Sequence, residues 1–140
     1  MRRSTFNYIE DILRDYPNYD TYIRECEQEI RYPHTESDEN IGGGNSPMQQ
    51  EHATATLIRI EDDRRIKMMR RQQKVIRDCL DFPPVSNVIK EMCDELYFKP
   101  NRTLTLEGVA QKLNVSVSTL KRVRLSFFRN ICKNLGIKYD

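Results

Sequence analysis

Hydrophobic positions recur along most of this chain at spacings of three and four, the period of a helix with one buried face, and almost nowhere at the spacing of two that marks a strand. In "STFNYIEDILRDYP" the stripe is Phe6, Ile9, Leu13 and Tyr16, with Ser4 or Thr5 placed to cap the helix and Pro17 to stop it. "NYDTYIRECEQEIRYP" repeats the device: Asn18 or Asp20 caps, Tyr22, Ile23, Cys26 and Ile30 form the stripe, and Pro33 ends it. From about Pro47 a single long helix is predicted, in which Ile66, Met69, Gln73, Ile76 and Leu80 alternate in steps of three and four. Glu61 with Arg65 and Asp63 with Lys67 make i,i+4 pairs along it, and Phe82-Pro83-Pro84 closes it. "SNVIKEMCDELYF" follows, with Ile89, Met92, Cys93 and Leu96 on its buried side and Lys99-Pro100-Asn101 as its end.

The last third of the chain carries the most specific pattern. Thr105 is placed to cap a short helix with Glu107 in its first turn, and Ser116 to cap a second, longer one. The spacing between them is that of a helix-turn-helix: Val109 and Leu113 on the inner face, Ala110 where the helices must approach closely, and Val115 plugging the turn. Asn114 stands where glycine is commonest, and Asn tolerates the left-handed backbone required there. At 100° per residue, Leu120, Val123, Phe127 and Ile131 gather on one side of the second helix as core. Ser118, Arg122, Leu125 and Arg129 gather on the other, with Lys121 at its edge, while Arg124 is expected along an apolar edge or beside a carboxylate. Leu135-Gly136 reads as the end of the helix with its glycine cap.

Charge sharpens this picture. The net charge of +2 is a sum of opposites: residues 1–41 carry five Lys and Arg against ten Asp and Glu, whereas residues 83–140 carry ten against five. Between Val109 and Asn130 there are five basic residues and no acidic one, which suits a surface that meets phosphates. The second helix is therefore predicted to enter the major groove, with Ser116, Val117, Ser118, Thr119, Lys121, Arg122, Leu125, Arg129 and Lys133 as the DNA-binding set. In that set Arg122 reaches a guanine edge, Leu125 a thymine methyl, and Arg129 and Lys133 phosphates. The run Arg64, Arg65, Lys67, Arg70, Arg71 and Lys74 is read first as a solvated helix face.

The predicted organisation is all-α: an acidic N-terminal helical pair over residues 1–41, a glycine-rich joint at 42–52 around Gly42-Gly43-Gly44, a long charged helix at 53–82, and a helix-turn-helix DNA-binding domain at 83–140. Other chemistries find little support. The joint lacks the Gly-Lys-Ser/Thr ending of a phosphate-binding loop, and no strand precedes it. Cys26, Cys79, Cys93 and Cys132 are far apart, His34 and His52 lie in polar stretches, and no nucleophile–base arrangement is recognisable, so neither an enzyme, a cofactor nor a metal is expected. Cys93 and Cys132 read as small buried hydrophobes. No apolar run approaches the roughly 20 residues of a membrane span, and the chain reads as cytoplasmic.

In order and content, "YIEDILRDYPNYDTYIRECEQEIRYP", "ENIGGGNS", the long charged helix, "TLEGVAQKLNVSVSTLKRVR" and a final "LG" resemble the RinA/ArpU-type family of phage transcriptional regulators over nearly the whole chain. "DYPNYD" and "ENIGGG" are the most specific pieces; the helix-turn-helix is shared with many regulators, including sigma-factor region 4. The family's tryptophan ahead of the first motif helix is replaced here by Leu104 or Leu106. The resemblance implies activation of late phage genes for packaging and morphogenesis inside a bacterial host; the residues themselves argue for double-stranded DNA as partner, and the charge split for an acidic head that contacts RNA polymerase or a second copy of the chain. Two rivals are a small terminase-like packaging subunit, which would form a ring, and a helical adaptor that binds protein without DNA affinity. If the acidic head acts apart from the tail, deleting residues 1–41 should spare DNA affinity and abolish activation.

Overall fold

A computed structural model describes residues 1–33, 47–82 and 87–140, and every regular element among them is helical. The elements are α1 (Arg3–Asp15), a 3₁₀ turn (Tyr16–Asn18), α2 (Tyr19–Arg31), α3 (Pro47–Asp62), α4 (Arg64–Asp81), α5 (Asn87–Cys93) with a π-helical turn (Asp94–Phe98), α6 (Leu106–Lys112) and α7 (Val117–Leu135). The glycine triplet, His34 and Pro83-Pro84 lie outside the described residues.

Two compact units form. One joins Met1–Asn18 to Arg71–Asp140, and the other is Tyr19–Arg70. This cut differs from the division by charge, which set residues 1–41 apart from residues 83–140. Burial is the reason: Ile9 and Leu13 of α1 are fully buried and Ile12 nearly so, in the unit that also buries Ile76, Met92, Val109, Leu120, Phe128 and Ile131. A short-range apolar contact outweighs a net charge that water and salt screen.

In the first unit, α1 packs on α7 and on the π turn, and α5 and α6 also pack on α7. The Phe6 and Phe128 rings lie 4.8 Å apart, and Tyr16 and Phe98 lie 5.1 Å apart. Gln72 donates to the Tyr8 hydroxyl at 2.7 Å, and the Arg71 guanidinium donates to the Leu135 carbonyl at 3.3 Å. The stripe expected for the α5 stretch holds: Ile89, Met92, Cys93 and Leu96 are all buried. Burial raises the Cys93 thiol well above its ordinary range, which keeps it a neutral hydrophobe. The N-cap of α1 is Arg2, with no side-chain cap bond, in place of the expected Ser4 or Thr5.

The second unit has a small core of Ile23, Ile60 and Ile66, with Cys26, Ile30 and Met69 against it. Tyr22, expected inside, is 37% exposed, whereas Tyr19 is buried at 2%. The long helix expected from Pro47 is interrupted at Asp63, whose Oδ1 accepts from the backbone N–H groups of Arg65 (2.9 Å) and Ile66 (3.2 Å) and so begins α4. The i,i+4 pairing expected across this point gives way to other partners. Arg65 bonds Glu29 (2.8 Å) and Asp63 (3.4 Å), Lys67 pairs with Asp62 (3.7 Å), and Arg70 pairs with Glu27 (3.1 Å). Bonds from the Arg65 side chain and the two backbone N–H groups hold the Asp63 carboxyl below its usual range. A depressed carboxylate contributes its stability above pH ~4 and loses it as pH falls through the folded value. Asp63→Ala is expected to destabilise this unit by about 1 kcal/mol at neutral pH, with a smaller deficit in acid; urea unfolding at pH 7 and pH 3 checks it.

Candidate nucleic-acid interface

The turn between α6 and α7 is built by local rules that the residues obey. Thr105 takes an extended conformation and its Oγ1 accepts from the Gly108 N–H at 3.2 Å, starting α6. α6 ends at Lys112, Asn114 adopts φ 54°, and the Val115 N–H returns to the Ala110 carbonyl at 3.0 Å. That left-handed residue costs little for Asn and would cost more for a branched side chain. Ser116 then caps α7: its Oγ accepts from the Thr119 N–H at 3.1 Å and donates to Thr119 Oγ1 at 2.7 Å. At the far end Gly136 sits at φ 74°, and Ile137 N–H bonds the Cys132 carbonyl at 2.9 Å, closing a 19-residue helix.

Burial sorts the faces of α7. Leu120, Phe127, Phe128, Ile131 and Cys132 are buried, whereas Val123, expected in the core, is half-buried. The inward direction is thus rotated from the sequence reading, toward Phe128, whose ring meets Phe6, Tyr97 and Phe127. Of the expected DNA-binding set, Ser118, Lys121, Arg122, Arg129 and Lys133 are exposed. Val117, Thr119 and Leu125 are half-buried, and the Ser116 hydroxyl is occupied by capping. In the first motif helix Val109 and Ala110 are buried, and Leu113 and Val115 half-buried.

Three side chains that hold this arrangement were not singled out from sequence. Glu95, on the π turn, is 5% exposed, and its Oε1 accepts from Lys112 at 2.7 Å and Lys99 at 2.8 Å. These two ammonium groups, Lys112 first, hold its carboxyl below the usual range. Tyr97, two residues on, donates to Glu10 Oε1 at 2.8 Å. Burial, and then the adjacent Glu10 carboxylate, push its phenol above the usual range. Phe128 is the third. Only the i,i+4 spacing of Glu95 and Lys99 was visible beforehand; the other partners are remote in sequence. Arg124 lies along an aromatic edge, as one of its two expectations had it, with its guanidinium 4.9 Å from the Phe6 ring centroid.

A model of the family described as protein of unknown function (DUF722) matches residues 6–133, from the first turn of α1 to the last turns of α7. The chain belongs to that family. It is 25% identical, over 140 residues covering 97% of this chain and 94% of the relative, to the transcriptional activator rinA of Staphylococcus phage phi11. The two matches together place it among RinA-type phage regulators, as the resemblance implied. No solved structure matches. The family match takes in α1, in keeping with the place of that helix in the unit that carries α7. Among the described residues, no group of His, Cys, Asp and Glu could hold a metal ion, and no helix is long and apolar enough to cross a membrane.

Proposed function

We propose that this chain is a sequence-specific transcriptional regulator of phage origin that binds double-stranded DNA through a helix-turn-helix made of α6 and α7, and that it activates late packaging and morphogenesis genes. One observation carries the reading. The outward side of α7 presents Ser118, Lys121, Arg122 and Arg129 together, on a helix whose start is set by Asn114 and Ser116, in a segment without a single carboxylate. Such a face attracts phosphates at every step and can offer Arg122 to a guanine edge. The similarity to an activator of a staphylococcal phage supports the regulatory part, and RNA polymerase is the partner that activation requires.

The experiment is fluorescence anisotropy with duplex DNA from the gene's own neighbourhood and with scrambled duplex, titrated across salt. Native duplex is expected to bind a hundredfold or more tightly, and Arg122→Ala to remove about 1–3 kcal/mol of that preference. Lys133→Ala should weaken both duplexes alike and reduce the salt slope by about one. Equal binding of both duplexes by the unaltered protein would reduce the reading to nonspecific phosphate attraction, and absence of binding would end it.

A further inference from the structure

Among the described residues, two buried side-chain polar atoms lack a hydrogen-bond partner, Glu95 Oε2 and Arg124 Nε. Both belong to side chains that tie the α6–α7 motif to the rest of its unit. Glu95 bonds Lys112, the last residue of α6 before the turn. Arg124, in the middle of α7, stacks on Phe6, and its positive charge acts on the Tyr97 hydroxyl, which itself donates to Glu10. Glu95 and Tyr97 are presented by the same π turn, whose wider register is marked by the Lys99 N–H bonding the Asp94 carbonyl at 3.1 Å. A π turn inside a helix is a strained feature that often accompanies function. A buried carboxylate whose second oxygen has no partner is not what stability alone would select, since an apolar residue of similar size avoids the desolvation penalty.

We propose that this π turn is a brace that determines DNA specificity: Glu95 through Lys112, and Tyr97 through Arg124, are positioning residues that set the pose of α6 and α7 against each other. The proposal rests on the DNA-binding reading above. Its physical content is directional. Apolar contacts around Phe128 hold α7 in place but are tolerant of small rotations, because they lack direction. A hydrogen bond weakens steeply when its angle changes, so the 2.7 Å bond from Lys112 to Glu95 is directional at α6; at α7 the Arg124 guanidinium is held over the Phe6 ring beside Tyr97, whose hydroxyl is anchored on Glu10 of α1 at 2.8 Å. A bidentate contact from Arg122 to a base edge needs that precision, whereas a phosphate contact does not.

The test uses the full chain and two near-isosteric variants, Tyr97→Phe and Glu95→Gln, both read well below their melting temperatures. Each is expected to reduce the native-to-scrambled affinity ratio about tenfold, while the affinity for scrambled duplex and the salt slope stay within twofold of the unaltered protein. In DNA-free protein, backbone amide NMR should show shifts extending along α7 for Tyr97→Phe, and along α6 and the turn at Asn114 for Glu95→Gln. A purely structural role would lower the melting temperature and leave the ratio unchanged, which overturns the proposal. Failure of the DNA-binding reading is separate: it is seen in the unaltered protein as equal or absent binding. In that event the amide shifts still decide the brace, and their confinement to the substituted residue and its immediate neighbours would overturn it.

Discussion

Removal of residues 1–18 is expected to abolish the cooperative unfolding transition of residues 71–140, and DNA binding with it. α1 supplies Ile9, Ile12 and Leu13 to the core, all at most 4% exposed, and its loss would also uncover Phe128, Phe98 and Arg124, which touch Phe6 or Tyr16. Three buried aliphatic side chains at about 1.5–3 kcal/mol each amount to most of the roughly 5–15 kcal/mol that keeps a domain folded. The expectation drawn from charge, that deletion of residues 1–41 spares DNA affinity, is therefore replaced by loss of both affinity and activation. Urea unfolding followed by far-UV circular dichroism decides it: a broad, sloping curve is expected, and a sharp transition with intact DNA binding would mean that α1 is dispensable to the unit. The smaller change Leu13→Ala should cost about 2–5 kcal/mol and leave the protein folded at low temperature.

Phe128→Ala carries the largest effect expected of a single substitution. The ring is fully buried and sits where α1, the π turn and α7 meet, 4.8 Å from Phe6 and 6.2 Å from Tyr97. Truncation leaves a cavity that three separate elements would have to close together, so the loss should fall at about 3–5 kcal/mol, with a further ~0.5–1.5 kcal/mol for the aromatic contacts. The melting temperature should drop by more than roughly 10 °C. Leu125→Ala, on the half-buried side of the same helix, is the control and should cost under about 1.5 kcal/mol. Comparable losses at the two positions would mean that α7 is packed about a different axis. Calorimetry of the two variants measures both.

The sequence by itself determined the features that depend on neighbours three to five residues away. Helix phase, the caps at Thr105 and Ser116, the left-handed Asn114 and the closing Gly136 were all readable, because each rests on a bond or steric preference within one turn of chain. The same local rules made the absence of carboxylates between Val109 and Asn130 meaningful, since a helical wheel places its residues without further information. Where local signals tie, they failed. Tyr19 and Tyr22 lie one turn apart, and Tyr19 is the buried one, a choice that no signal within α2 makes. Val123 and Phe128 flank the same apolar arc, and Phe6 and Tyr97 draw Phe128 inward. The break at Asp63 is of the same kind: its carboxylate caps α4 and pairs with Arg65 rather than with Lys67, and Glu29 of α2, remote in sequence, takes the other side of Arg65 in place of Glu61. Only the tertiary structure decided that α1 shares a core with α7, because charge counted along a chain reports what water can screen, whereas burial depends on which apolar faces meet.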